Sequence, residues 1–212
     1  MITSQTVFAN HIKNSKYQRC IITNATTGLD AAHIIDKAIC EKNNNKYLKF
    51  HISNGISLRK DIHQAFDNHI WCFNPFDCID NTDNKTISIG IIYDMSKNIP
   101  EELTKQKYYI VDKNDYYLIY IRYVEFSYKY AERHKNNLPK DSYDTIISLY
   151  ESVFSKITYI TKLENNYAYE YDGDLLMINW ENVSQFYQYQ KDESNTTNTI
   201  NTRNTRNTRN KT

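Results

Sequence analysis

The chain has 212 residues, enough for one sizeable hydrophobic core but short for two full domains. Lys and Arg number 26 against 25 Asp and Glu, a formal net charge of +1, so any nucleic-acid surface has to be a local patch. The longest apolar runs, such as Ile87 to Tyr93 and Tyr116 to Val124, are too short or too polar to cross a bilayer, and Met1 is not followed by a charged and then apolar leader; the expectation is a soluble, intracellular protein, cytoplasmic or nuclear, with no membrane partner.

Residues 1 to 16 read as a lead-in with a short helix around Thr6 to Ile12. Arg19 to Thr23 and Leu29 to Ile35 are apolar and β-tolerant, and the turn chemistry of Asn24 to Gly28 between them predicts a hairpin. Glu41 to Lys46, with three consecutive asparagines, is expected to be a polar loop, followed by a strand over Ile52 to Leu58. Arg59 to Asn68 places Ile62, Ala65 and Phe66 at helical spacing and predicts an amphipathic helix.

Trp71 to Phe73 and Thr86 to Ile92 are expected strands. The loop joining them carries Asp77, Asp80 and Asp83 but lacks the Gly and terminal Glu of a calcium-binding loop, so it reads as a solvated turn. Pro100 to Lys107 predicts a short helix, Tyr116 to Tyr123 fits strand or helix, and Glu125 to Asn136 predicts a helix. Tyr143 to Ile157 predicts another, with Ile146, Ile147, Tyr150, Val153 and Phe154 on one stripe. Asp172-Gly173-Asp174, between Tyr167 to Tyr171 and Leu175 to Trp180, is a hairpin signal. Residues 192 to 212 collapse to Asn, Thr and Arg and are expected to be disordered, with Arg203, Arg206, Arg209 and Lys211 able to touch phosphates. Cys20, Cys40, Cys72 and Cys78 include no C-x2-C pair, which argues against a zinc ribbon or disulfide framework and for buried, reduced thiols.

Three residues carry the chemical signal: His33 at a strand end, Asn54 before the next strand and His63 in the helix. Phosphodiester hydrolysis needs a base to activate water and a cation to stabilise the phosphorane and its leaving oxygen, and a strand-strand-helix unit can present both at one point. The segments Cys20-Ile-Ile-Thr, Leu29-Asp-Ala-Ala-His33-Ile-Ile, Asn54-Gly-Ile-Ser-Leu58 and Ile62-His63-Gln-Ala-Phe-Asp67 resemble the HNH endonuclease family, in the branch reading Ala-Ala-His-Ile, Asn-Gly-Ile-x-Leu and His-x-x-Phe-Asp. Tyr130-Ala-Glu-Arg-His134-Lys is similar to a helix that often closes this module, which gives a nuclease module over 17 to 139 and an accessory segment over 140 to 191.

The resemblance implies an α+β fold with a ββα-metal core, extra strands and C-terminal helices. It implies His33 as general base, Asn54 as the residue that orients it, and His63 as ligand of one divalent metal ion, Mg2+ first and Mn2+, Zn2+ or Ni2+ as alternatives. Asp67, one turn after His63, is a candidate second ligand, and Arg59 and Lys60 at the helix start are candidate DNA phosphate contacts. One such site cuts one strand of DNA, so a double-strand break requires a homodimer or two successive nicks. The sequence departs from the family where many members carry a metal-binding Asp or His just before the base: here that residue is Ala32. The frequent Pro after His-Ile is also missing, and the loop from Asp36 to Ser53 is long. A DNA-binding protein that keeps the scaffold without turnover is the alternative reading.

Overall fold

The structure, a computed structural model, describes residues 4–94 and 99–155. It mixes helix and strand: α1 (Gln5–His11), β1 (Leu29–His33), α2 (Lys37–Lys42), α3 (Lys46–Lys49), β2 (Gly55–Arg59), α4 (Lys60–Asp67), β3 (Trp71–Asp80), β4 (Thr86–Tyr93), α5 (Glu102–Lys105), β5 (Tyr109–Asp112), α6 (Tyr116–Arg133) and α7 (Lys140–Ser155). Among the described residues, no helix is long and apolar enough to cross a membrane.

The strands form two antiparallel sheets, β1-β2 and β3-β4-β5. In the first, the register runs from Leu29 opposite Arg59 to His33 opposite Gly55. This corrects the expected hairpin partner, because residues 19 to 23 are not a strand. They close on themselves, Cys20 N–H donating to the Ala25 carbonyl and Asn24 N–H to that of Cys20, with Asn24 at φ 57. A turn that closes within six residues leaves no ladder to pair, and the segment touches the sheet through one bond from Ile21 N–H to the Ser57 carbonyl.

The expected polar loop is also corrected, since α2 and α3 occupy it. Asp36 and Asn45 each accept a backbone N–H at a helix start, which is the capping chemistry that these residue types favour. The expected strand over 52 to 58 begins later, after a single 3-10 turn over Ile52–Asn54. The segment left open between strand and helix belongs to α6, whose 18 residues continue without a break into the predicted helix. Strand β5 was not anticipated. The three aspartates of the solvated turn have structural partners: Asp83 accepts from Lys85 and Thr86, Asp80 pairs with Lys113, and Asp77 accepts from the Tyr108 hydroxyl. All four cysteines are free, and Cys20, Cys40 and Cys72 are buried.

The core joins both sheets. Phe66, Trp71 and Phe73 pack ring to ring, α6 lies on β3, and α7 packs on α6 through Ile146, Leu149 and Val153. The N-terminal segment is latched by one buried ion pair, in which the Lys16 ammonium sits 2.6 Å from Asp115 and also donates to the Ile52 carbonyl at 2.8 Å. The Tyr17 hydroxyl donates to the other Asp115 oxygen and accepts from Asp112 N–H. The hairpin at 167 to 180 and the Asn/Thr/Arg tail lie outside the described residues.

Burial raises the Asp115 pKa to about 7 against the pull of Lys16, so removing Lys16 leaves a buried carboxyl that must give up its charge or stay unpaired. Lys16→Met is therefore expected to lower stability by roughly 3 kcal/mol in denaturant melts, and adding Asp115→Leu to recover most of the loss. Strict additivity of the two changes would show that the pair is not coupled.

Candidate functional site

The β1-β2 hairpin carries different helices on its two faces. Along β1, Ala31 and His33 point one way and Asp30 and Ala32 the other, following the strand period of two. Ala31 packs with Phe8 and Ile12, and the His33 ring stacks on Phe8 with centroids 4.5 Å apart and planes 15° from parallel. A side chain at Gly55, opposite His33, would meet Ile12 at 2.5 Å and Phe8 at 2.7 Å, so only glycine lets this first helical segment close on the strand end. Helix α4 packs on both strands through buried Ile62, Ala65 and Phe66, and brings His63 to Asp30.

His33 is half-buried at the end of β1, with Nε2 3.0 Å from the Lys49 carbonyl. A carbonyl can only accept, so in the neutral ring the proton sits on Nε2 and Nδ1 keeps its lone pair. Burial lowers the pKa of His33; the Lys49 carbonyl and the charges of Asp36 and Asp67 offset this in part, while His63 adds to it. His33 is thus held in its neutral, basic form, within electrostatic reach of His63 and Asp67.

Asn54 is fully buried. Its Oδ1 accepts from Ile35 N–H at 2.7 Å, and its Nδ2 donates to the carbonyls of Ile35 at 3.1 Å and Leu48 at 3.2 Å. Those contacts lie two residues after His33 and one before Lys49. The amide therefore fixes the frame that aligns the His33 ring with its carbonyl partner, and does so without touching the ring.

His63 lies between two carboxylates, with Nε2 3.2 Å from Asp67 Oδ2 and Nδ1 3.5 Å from Asp30 Oδ2. Burial works against its positive charge, yet Asp67 and Asp30 outweigh burial and raise its pKa. Nε2 of His63 and Oδ2 of Asp67, 3.2 Å apart, are joined as a hydrogen-bonded ion pair, and an imidazole nitrogen beside a carboxylate oxygen is a donor set of the kind that divalent ions take. Among the described residues, no group of three or more His, Cys, Asp or Glu is arranged to hold one. A cation held there would draw on the His63 ring nitrogen and the Asp67 carboxylate.

The two basic candidates differ. Arg59 is engaged, at 2.6 Å to Asp61 and 2.7 Å to Glu102, whereas Lys60 is exposed at the first position of α4. The far end of α4 is held by buried Arg122, which donates to the Phe66 carbonyl, lies over the Phe66 ring and pairs with Glu125 at 2.8 Å. Glu125 also takes His69, and Asp94 takes His134, in line with structural roles for these histidines. Sequence reasoning missed Asp30. Its signal was the strand period, which puts Asp30 on the face of Ala32.

A family model described as HNH endonuclease matches residues 20–74, the stretch that holds β1, β2, α4 and the start of β3. The match suggests nuclease activity in general; nucleases of this kind act on DNA and generally use a divalent metal. No curated protein and no solved structure matches the chain.

A ring kept neutral by burial should titrate low. NMR titration of His33 is expected to give a midpoint below the ordinary value of about 6.5, and Phe8→Leu, which removes the stacked ring, to move it upward. A midpoint at or above 6.5 in the unaltered protein would contradict the burial argument.

Proposed function

We propose that this protein is a metal-dependent DNA endonuclease with a ββα-metal core, in which His33 is the general base and His63 and Asp67 hold one divalent ion. The observation that carries the reading is a half-buried histidine, its Nε2 bound to the Lys49 carbonyl, on the same hairpin-and-helix unit as a His–carboxylate pair.

His33 Nδ1 takes a proton from water, and the resulting hydroxide attacks the scissile phosphorus. The imidazolium formed is stabilised through Nε2–H by the Lys49 carbonyl and by the nearby charges of Asp36 and Asp67. When bound, a divalent cation supplies charge neutralisation at the phosphate and at the departing 3′ oxygen. Asn54 is a positioning residue that acts through the backbone of Ile35 and Leu48. Lys60 is the phosphate contact of the basic pair, because the Arg59 guanidinium is committed to Asp61 and Glu102.

The test is nicking of supercoiled plasmid with Mg2+ or Mn2+ and its loss with EDTA. His33→Ala is expected to lower the rate by a factor of about 100 or more while sparing metal affinity, and His63→Ala to weaken metal binding itself. Nicking that survives chelation would remove the metal from the account, and equal loss of metal affinity in both variants would reverse the assigned roles. Absence of nicking with any divalent ion would favour a DNA-binding protein without turnover.

A further inference from the structure

The sequence places Ala32 where many members of the family it resembles carry a metal-binding residue, yet the face of β1 that Ala32 occupies is not without a carboxylate. Asp30, two residues earlier, points the same way, because strand residues alternate. Its Oδ2 lies 3.5 Å from His63 Nδ1, at the outer limit of a hydrogen bond, while Asp67 takes the opposite ring nitrogen at 3.2 Å. The two carboxylates therefore address different atoms of one imidazole and cannot play the same part.

The geometry points to Asp30 as the positioning residue of the metal centre, holding the Nδ1 proton of His63 so that Nε2, beside Asp67, is the nitrogen that gives up its proton when a cation binds. The inference rests on the proposed role of His63 as a ligand and adds which nitrogen binds, and what orients it. An imidazole has two nitrogens of similar basicity, and a ligand that must bind through one of them needs its proton held on the other; ligating histidines nearly always give that proton to a carboxylate or a carbonyl. Here the backbone favours Asp30 for the task. Leu58 faces it across the ladder, and the β1-β2 pairing sets its position against α4, so the carboxylate is built into the scaffold that carries the base. Asp67 lies on the same helix as His63, one turn on, and moves with it. The ring is thus fixed from two elements: α4 supplies the donors, and β1 fixes their orientation.

The probe is Zn2+, which is diamagnetic. In the full chain with Zn2+, nitrogen NMR of the His63 ring is expected to show Nδ1 protonated and Nε2 bound to the metal. Asp30→Asn and Asp30→Ala are each expected to weaken Zn2+ affinity by about 10- to 100-fold while the metal-free protein stays folded, and Asp30→Glu to recover part of the affinity. A Zn2+-bound Nδ1, or affinity within twofold of the unaltered protein in both Asn and Ala variants, would overturn the inference. Those results leave the nuclease reading intact if plasmid nicking persists. Failure of the unaltered protein to bind any divalent ion would instead sink the reading of His63 as a ligand, and the inference with it.

Discussion

The side-chain amide of Asn54 is the one interaction on which the rest of the site depends. Between His33 and Asn54 the chain leaves the hairpin, forms two short helices and returns, and the excursion has to close so that β1 and β2 stay in register. A buried amide that bonds both polar groups of Ile35 and the carbonyl of Leu48 closes it from inside, supported by the backbone bond from Ile34 N–H to the Asn54 carbonyl. Asn54 is fully buried, so losing one of these bonds leaves an unsatisfied group at a cost of about 1–3 kcal/mol. The same closure carries Lys49 to the His33 ring. The orientation of His33 and the closure of the loop are therefore consequences of one side chain.

Around that clamp, the two faces of the hairpin have divided tasks. The first helical segment covers one face and desolvates His33, which keeps the ring neutral; its approach depends on the missing side chain at Gly55 and is anchored at its far end by Lys16 on Asp115. Helix α4 covers the other face and presents His63 and Asp67. Its own C-terminal turn is held by Arg122 from α6, so the second sheet and its helices serve as the support for a site they do not enter. Electrostatics separate the two histidines: burial lowers the pKa at His33, whereas at His63 burial is outweighed by Asp67 and Asp30 together.

His33, Asn54, His63 and Asp67 were picked out by segments that resemble a known family, and the structure places them on one hairpin, its connecting turn and the helix after it; α4 follows from the period of Ile62, Ala65 and Phe66. What could not be read depended on pairing. The stretch from Arg19 to Thr23 is as β-tolerant as Gly55 to Arg59, and only the register shows that β1 takes the later one. The helices inside the asparagine-rich excursion were hidden because Asp36 and Asn45 read as loop residues until they are seen capping. Arg59 was offered to phosphate by its place at a helix start, and its pairing with Glu102, remote in sequence, could not be read from that place. Asp30 escaped notice for the same reason: its partner lies across the hairpin on α4.

The proposal is spatial: one cation site on α4, within electrostatic reach of His33 at the end of β1. Paramagnetic broadening by Mn2+ tests that directly, because its effect on NMR signals falls steeply with distance from the ion. Substoichiometric Mn2+ is expected to erase signals of His63 and Asp67 first and those of His33 and Asp30 next, while the aspartates at 77, 80 and 83 keep theirs. Broadening that begins at Asp80 and Asp83 and spares His63 would contradict the account.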